Sequence, residues 1–133
     1  MARVHGKDLT SLNVDDSGGT PRDLLAHTIS LTFPQSADLH DTTTMGDDWH
    51  EFTAGLKGGG SVTHEGFYEN TATTGPDAVY NGRIGVAGTL SFGDGTVTYS
   101  METVVENYEL NPTVADMMKF RATHRITGAI TRT

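Results

Sequence analysis

The sequence predicts a mostly β, antiparallel domain, on three observations. Threonine occurs 21 times and glycine 16 times in 133 residues, which favours strands and turns over helix. Polar–apolar alternation with a period of two recurs in several segments. Between two of those segments stands Gly93-Asp94-Gly95, whose Asp-Gly step is a strong hairpin signal.

In chain order, Leu9 to Val14 alternates loosely and reads as a short strand, closed by the turn cluster Asp15-Asp16-Ser17-Gly18-Gly19. Leu24 to Phe33 is the clearest early strand. His27, Ile29, Leu31 and Phe33 fall on one face, and Thr28, Ser30 and Thr32 on the other. Pro34 ends it. Residues 35–56 show no useful periodicity and read as a long loop, a class that is usually functional or disordered. It holds Asp38, Asp41, Asp47, Asp48 and Glu51 with no Lys or Arg, and also Met45, Trp49, Phe52 and Leu56. Disordered segments are poor in aromatics. Trp49, Phe52 and Leu56 are therefore expected to anchor the loop, either on the parent domain or on a neighbour. After Gly58-Gly59-Gly60 come a strand over Ser61 to Glu69 and a polar turn region over Asn70 to Gly75. Pro76 to Gly82 has room for one helical turn with Pro76 near its start.

Ile84 to Phe92 and Thr96 to Glu109 read as strands of one hairpin. A two-residue Asp94-Gly95 turn pairs Gly93 with Thr96, Phe92 with Val97 and Leu90 with Tyr99. The last strand runs from Met117 to Thr131, with Phe120, Ala122, His124 and Ile126 on one side and Lys119, Arg121, Thr123 and Arg125 on the other. Opposite charges across strands contribute about 0.2–1 kcal/mol each. One register opposes Glu102 to Arg125, Glu106 to Arg121 and Tyr108 to Lys119, with Met101 against Ile126 and Val105 against Ala122 behind them. It makes one face charged and the other apolar, with a turn around Asn111-Pro112-Thr113.

The length is that of a single domain, residues 1–133. Nine basic against 17 acidic residues leave a net charge of −8, which opposes tight binding to a phosphate backbone. The absence of cysteine excludes disulfides, thiolate metal sites and Cys nucleophiles. No apolar run approaches the ~20 residues of a membrane span, and the N-terminus lacks the apolar stretch of a signal peptide, so a cytosolic chain without a membrane partner is expected. An apolar share of 35% gives a modest core, and small domains with modest cores are often stabilised by association.

No catalytic constellation emerges. His40, Asp41, Asp47, Asp48 and His50 share the acidic loop, but their spacing fits no metal motif, and solvated loop charges are the favoured reading. His27 and His124 lie on apolar strand faces, where hydrogen-bonded core histidines are expected. Glu102 and Glu106 share a strand face; ion pairs with Arg125 and Arg121 are favoured over a catalytic carboxylate pair. Neither a nucleophile elbow nor a phosphate loop nor a dinucleotide fingerprint is present. The residues point to a binding or structural role without enzymatic activity or cofactor.

At Phe33-Pro34-Gln35-Ser36-Ala37-Asp38 and Asp41-Thr42-Thr43-Thr44-Met45-Gly46-Asp47, the chain resembles the tail tube (major tail) proteins of long-tailed bacteriophages. The likeness continues through Phe52 and Gly55-Leu56-Lys57, resumes from Phe120 to Thr131, and includes the opening Met1-Ala2-Arg3-Val4-His5-Gly6-Lys7. Gly58-Gly59-Gly60 and the weakly helical Pro76–Gly82 depart from the family pattern. The resemblance implies an antiparallel β-sandwich or half-barrel with a short helix. It implies six protomers to a ring, and rings stacked into a hollow virion tail that conducts DNA without specific binding. Assembly would occur in the host cytoplasm, with tape measure, terminator and distal tail proteins as partners. It places Asp41, Thr43, Gly46, Asp47, Asp48, Trp49, Phe52 and Leu56 at the inter-ring or inter-subunit contact. Thr28, Ser30, Thr32, Glu102 and Glu106 are candidates to face a negatively charged lumen, with outer solvent as the alternative. A single-ring tail-completion protein, a secretion-tube protein and a small-ligand-binding β-barrel are the competing readings.

Overall fold

The computed structural model describes residues 3–133, so Met1 and Ala2 of the family-like opening lie outside the described residues. The strands are β1 (Ser11–Asp15), β2 (Pro21–Asp23), β3 (Thr28–Thr32), β4 (Ser36–Asp41), β5 (Phe52–Gly58) and β6 (Ser61–Phe67). After the helix α1 (Pro76–Arg83) follow β7 (Ala87–Gly93), β8 (Thr98–Asn111), β9 (Lys119–Ile126) and β10 (Thr131–Arg132). Pro76 occupies the first turn of α1, where its missing N–H is unneeded. The main sheet has the order β2-β1-β7-β8-β9-β6-β3, with β10 pairing β8 beyond the end of β9, and β4–β5 form a separate two-stranded sheet. All the strand pairings are antiparallel.

The sheet is open but strongly curled. Phe33, just past β3, packs its ring 5.3 Å from Phe92 of β7 and 5.2 Å from Tyr99 of β8, strands at the middle of the sheet order. The concave face holds the core: Val14, Val62, Leu90, Met101, Val105, Phe120 and Ala122, covered by Val79 and Tyr80 of α1. This half-barrel architecture agrees with the expected fold class.

Four local expectations are corrected. First, residues 35–56 are not a loop: β4 and β5 make a hairpin, and only its tip is irregular. Second, the strand expected from Leu24 begins at Thr28, after a 3₁₀ turn over Leu25–His27. A bulge between Thr28 and Ser30 then turns Thr28 inward and leaves Ile29 half exposed. His27 is consequently not a core residue; its Nδ1 meets Glu69 at 2.7 Å.

Third, the β7–β8 turn is longer than two residues, so Gly93 opposes Thr98, Phe92 opposes Tyr99 and Leu90 opposes Met101. The Asp94 carboxylate accepts the N–H groups of Thr96 and Val97, and Gly95 takes φ 92°, together closing a wider turn. Fourth, β8 and β9 pair Val104 with Arg125 and Val105 with His124, then slip by a bulge to pair Tyr108 with Ala122 and Glu109 with Arg121. Glu102–Arg125 and Glu106–Arg121 are therefore not cross-strand pairs. Arg121 instead meets Glu65 of β6 at 3.3 Å, and Arg125 meets Glu106 at 3.9 Å. Charged pairs this exposed contribute little. Stacking of Tyr108 on Tyr80 at 5.5 Å and Tyr80 against Phe120 at 5.6 Å sets the register from the buried side.

A buried hydrogen-bond chain ties α1 to this sheet. The Thr28 hydroxyl donates to Leu24 O at 2.8 Å, so it must accept from His64 Nε2 at 2.7 Å. His64 Nδ1 then accepts the Tyr80 hydroxyl at 2.6 Å, Tyr80 accepts from His124 Nε2 at 3.0 Å, and His124 Nδ1 accepts from Thr103 Oγ1 at 3.2 Å. Burial keeps both imidazoles neutral, and with neutral rings the one anchored proton fixes every donor along the chain. Burial lowers His64 to about 4 and His124 to about 3, the latter also repelled by His64 and Arg83. Arg83 is buried beside them, and its guanidinium donates to the carbonyls of Asp15, Val86 and Thr103.

Candidate functional site

The β4–β5 hairpin stands off the end of the β3–β6 pair, where Thr32 opposes Thr63. Its register opposes Leu39 to Ala54, His40 to Thr53 and Asp41 to Phe52, with a bulge between Ala37 and Leu39. Opposed residues share a face. One side therefore carries Ala37, Leu39, Phe52 and Ala54, with Lys57 opposite Ala37 at its root and Asp41 at its outer end. The other carries Asp38, His40 and Thr53. Gly55 lies under that polar side: a Cβ there would stand 2.6 Å from His40 Nε2 and 3.3 Å from Asp38 Cβ.

The tip is built by its own polar groups. Thr43 Oγ1 accepts the Glu51 N–H at 2.7 Å, and Asp47 accepts the N–H of Thr44 at 2.8 Å and its hydroxyl at 3.1 Å. The Asp41 carboxylate accepts the Thr43 N–H at 2.9 Å, which holds its pKa below the usual range. Gly46 lies at the apex with open space around it. The apolar residues have no cover. Leu39 is 65% exposed, Trp49 84%, Phe52 58% and Leu56 82%. Trp49, Phe52 and Leu56 thus do not anchor the segment on the parent domain. Burying one such side chain is worth about 1.5–3 kcal/mol, so the hairpin holds in solvent an apolar side whose burial would be favourable.

The convex face of the sheet is polar. Ser30 donates to Glu65 at 3.3 Å, Thr32 is exposed, Glu102 accepts from Thr89, and Glu106 accepts from Ser61 at 3.4 Å. Thr28 does not belong with them, because the bulge in β3 points it at His64. Arg121 and Arg125 interleave with these carboxylates, so the face alternates in charge. His40, Asp41, Asp47, Asp48 and His50 do not converge, and among the described residues no three His, Asp or Glu side chains gather as metal ligands would. A groove of about 390 Å³ is open to solvent and sets Glu65, Glu109, Lys119 and Arg121 beside Ile29, Leu110 and Phe120, unlike the enclosed apolar cavity of a ligand-binding barrel.

Four buried polar residues, His64, Tyr80, Arg83 and Thr103, stood unmarked in the sequence. The period-two pattern Val62, His64, Gly66 was the available signal for His64. The i, i+3, i+4, i+7 spacing of Pro76, Val79, Tyr80 and Arg83 was the available signal for the buried side of α1.

No protein-family model matches the chain, and no curated protein matches it in sequence. Solved structures do. The chain is similar to a subunit in the tail of the empty gene transfer agent particle, refined with C6 helical symmetry, at a TM-score of 0.75 and 17% identity over 98% of this chain and 99% of that one. It is similar to a chain of the SPP1 tail tube, with a TM-score of 0.64 and 12% identity over 98% of this chain and 78% of that one. It also resembles a chain of the six-fold symmetrised baseplate of the anti-feeding prophage, with a TM-score of 0.62 and 12% identity over 92% and 90% of the two chains. Half-barrel, capping helix and hairpin lie within the span matched by the gene transfer agent tail, and the chain has the tail-tube fold.

Proposed function

We propose that this chain is a structural subunit of a phage tail tube, one ring of which holds six copies. The observation that carries the reading is the projecting hairpin, whose apolar side has no partner within the chain. The tail-tube fold over nearly the full length supports it, and the C6 symmetry of the gene transfer agent tail supports six copies. Asp41, Thr43, Gly46, Asp47, Asp48, Trp49, Phe52 and Leu56 would sit at the contact between subunits or rings. Lateral pairing would use the free edges of the half-barrel, removing the unpaired strands that an open sheet otherwise presents.

Ser30, Thr32, Glu102 and Glu106 are the residues assigned to the lumen. Arg121 and Arg125 offset the carboxylates of that face locally, so the repulsion that lets DNA slide through without binding would come from the net charge of −8 of each copy around the bore. The tube belongs to the virion, with tape measure, terminator and distal tail proteins as partners. The role is structural, with no turnover.

The likeness to a baseplate chain favours a second reading, a single ring in a related tail or injection device. Sedimentation velocity and negative-stain microscopy of the purified protein separate the two. Stacked tubes support the tube subunit and isolated rings support the second reading. Monomers alone at high concentration contradict both.

A further inference from the structure

The glycine run that departs from the family pattern lines a groove at the root of the hairpin. Its walls are Lys57, Gly58, Gly59, Gly60, Arg125 and Ile126, and its volume is about 500 Å³. Gly59 packs against the body: a Cβ there would stand 2.2 Å from Ile126 Cδ1. Gly58 and Gly60 face open space, so the floor is flat and bare. No carboxylate lines the groove. Glu106 approaches Arg125 only at 3.9 Å, and Lys57 has no ion-pair partner among the described residues.

The hairpin tip is the complement of this groove. It carries Asp47, Asp48 and Glu51 around the exposed indole of Trp49, and residues 35–56 contain no Lys or Arg. The tip cannot reach its own root. The seven residues of β5 span about 20 Å at ~3.3 Å per residue, and the paired ribbon holds the two ends apart.

Resting on the tube reading, we infer that the hairpin tip of one copy seats in the triglycine groove of another. Trp49 lies on the glycine floor, and the tip carboxylates pair with Lys57 and Arg125. Tip and groove are different surfaces, so the contact is heterologous; made between stacked rings, it repeats along the tube without closing. The glycines keep the floor clear for the indole, and the two cations select an acidic tip and steer it in.

The test is a charge exchange in the full chain. Asp48→Lys with Glu51→Lys, which leave the Asp47 cap of the tip intact, and separately Lys57→Glu with Arg125→Glu, should each raise the concentration needed for tube formation at least about tenfold. All four changes in one chain should restore it to within about threefold of wild type, because complementarity returns with reversed sign. Thermal melts confirm that each variant folds; the substituted side chains are on exposed turns and strand faces. Wild-type tubes that persist unchanged in both reversals overturn the inference and leave the tube reading standing, the groove then serving another partner or none. A four-fold variant that folds but stays unassembled also overturns it. A wild-type chain that forms neither rings nor tubes overturns inference and reading together.

Discussion

Acid should unfold this protein well above the pH at which its carboxylates alone would. His64 and His124 are neutral in the fold, with pKa values of about 4 and 3 against 6.5 when exposed. Between those values the unfolded chain binds more protons than the native one, so stability is full above pH 6.5 and falls as pH drops through 6.5 toward 4 and 3. At pH 5 each histidine is 1.5 units below its unfolded pKa while still neutral in the fold. At about 1.36 kcal/mol per unit that is about 2 kcal/mol each, or about 4 kcal/mol together. A domain of this size has only about 5–15 kcal/mol in total. No carboxylate hydrogen-bonds either ring to offset the loss; the cation nearest the chain, Arg83, deepens it for His124. Denaturant titrations at pH 7, 6, 5 and 4.5 should show the midpoint falling steadily, and NMR of the imidazole nitrogens should show both rings neutral and Nε2-protonated at pH 5. A midpoint flat from pH 7 to 5, or a ring titrating near 6.5 in the folded protein, would refute the directed hydrogen-bond chain.

Other outcomes follow from the same geometry. Tyr80→Phe leaves His64 Nδ1 and the His124 Nε2–H without their shared partner and should cost about 1–3 kcal/mol in a chemical melt at pH 7. Gly88→Ala should also cost about 1–3 kcal/mol, because its Cβ would stand 2.8 Å from Arg83 Cζ, whereas Gly46→Ala meets nothing and should cost far less. Glu65→Gln should shift stability by under about 0.5 kcal/mol, since its pair with Arg121 is largely exposed. Leu39→Ser with Phe52→Ser should leave the monomer's melting unchanged yet abolish fast-sedimenting species, because both side chains lie on the uncovered side of the hairpin.

The fold class was legible because most strands have one face buried and one solvated, as in Val62, His64 and Gly66 against Thr63 and Glu65. Hairpin β4–β5 was not, because both its faces meet solvent and a bulge breaks its alternation after Ala37. Its apolar face exists only once the register is known. The β8–β9 register failed for a different reason. Charge matching ranks registers by exposed pairs worth tenths of a kcal/mol, whereas the aromatic stack of Tyr80, Tyr108 and Phe120 decides it from the core. That stack depends on α1, whose buried side follows the spacing of Pro76, Val79, Tyr80 and Arg83 but whose place on the sheet is set by the tertiary fold. Composition alone marked this segment as an acidic stretch without cations that still carries Trp49, Phe52 and Leu56; that these side chains lie uncovered needed the fold. The place of Thr28 was not, since a single bulge residue inverts its face.

The claim on which the account rests is that the uncovered hairpin is completed by other copies of the chain. A cryo-EM reconstruction of the particles formed by the purified protein tests it most directly. The account predicts stacked rings in which Leu39, Trp49 and Phe52 lose their exposure against a neighbouring subunit. Rings or tubes in which the hairpin still projects into solvent, touching no other copy, would contradict it.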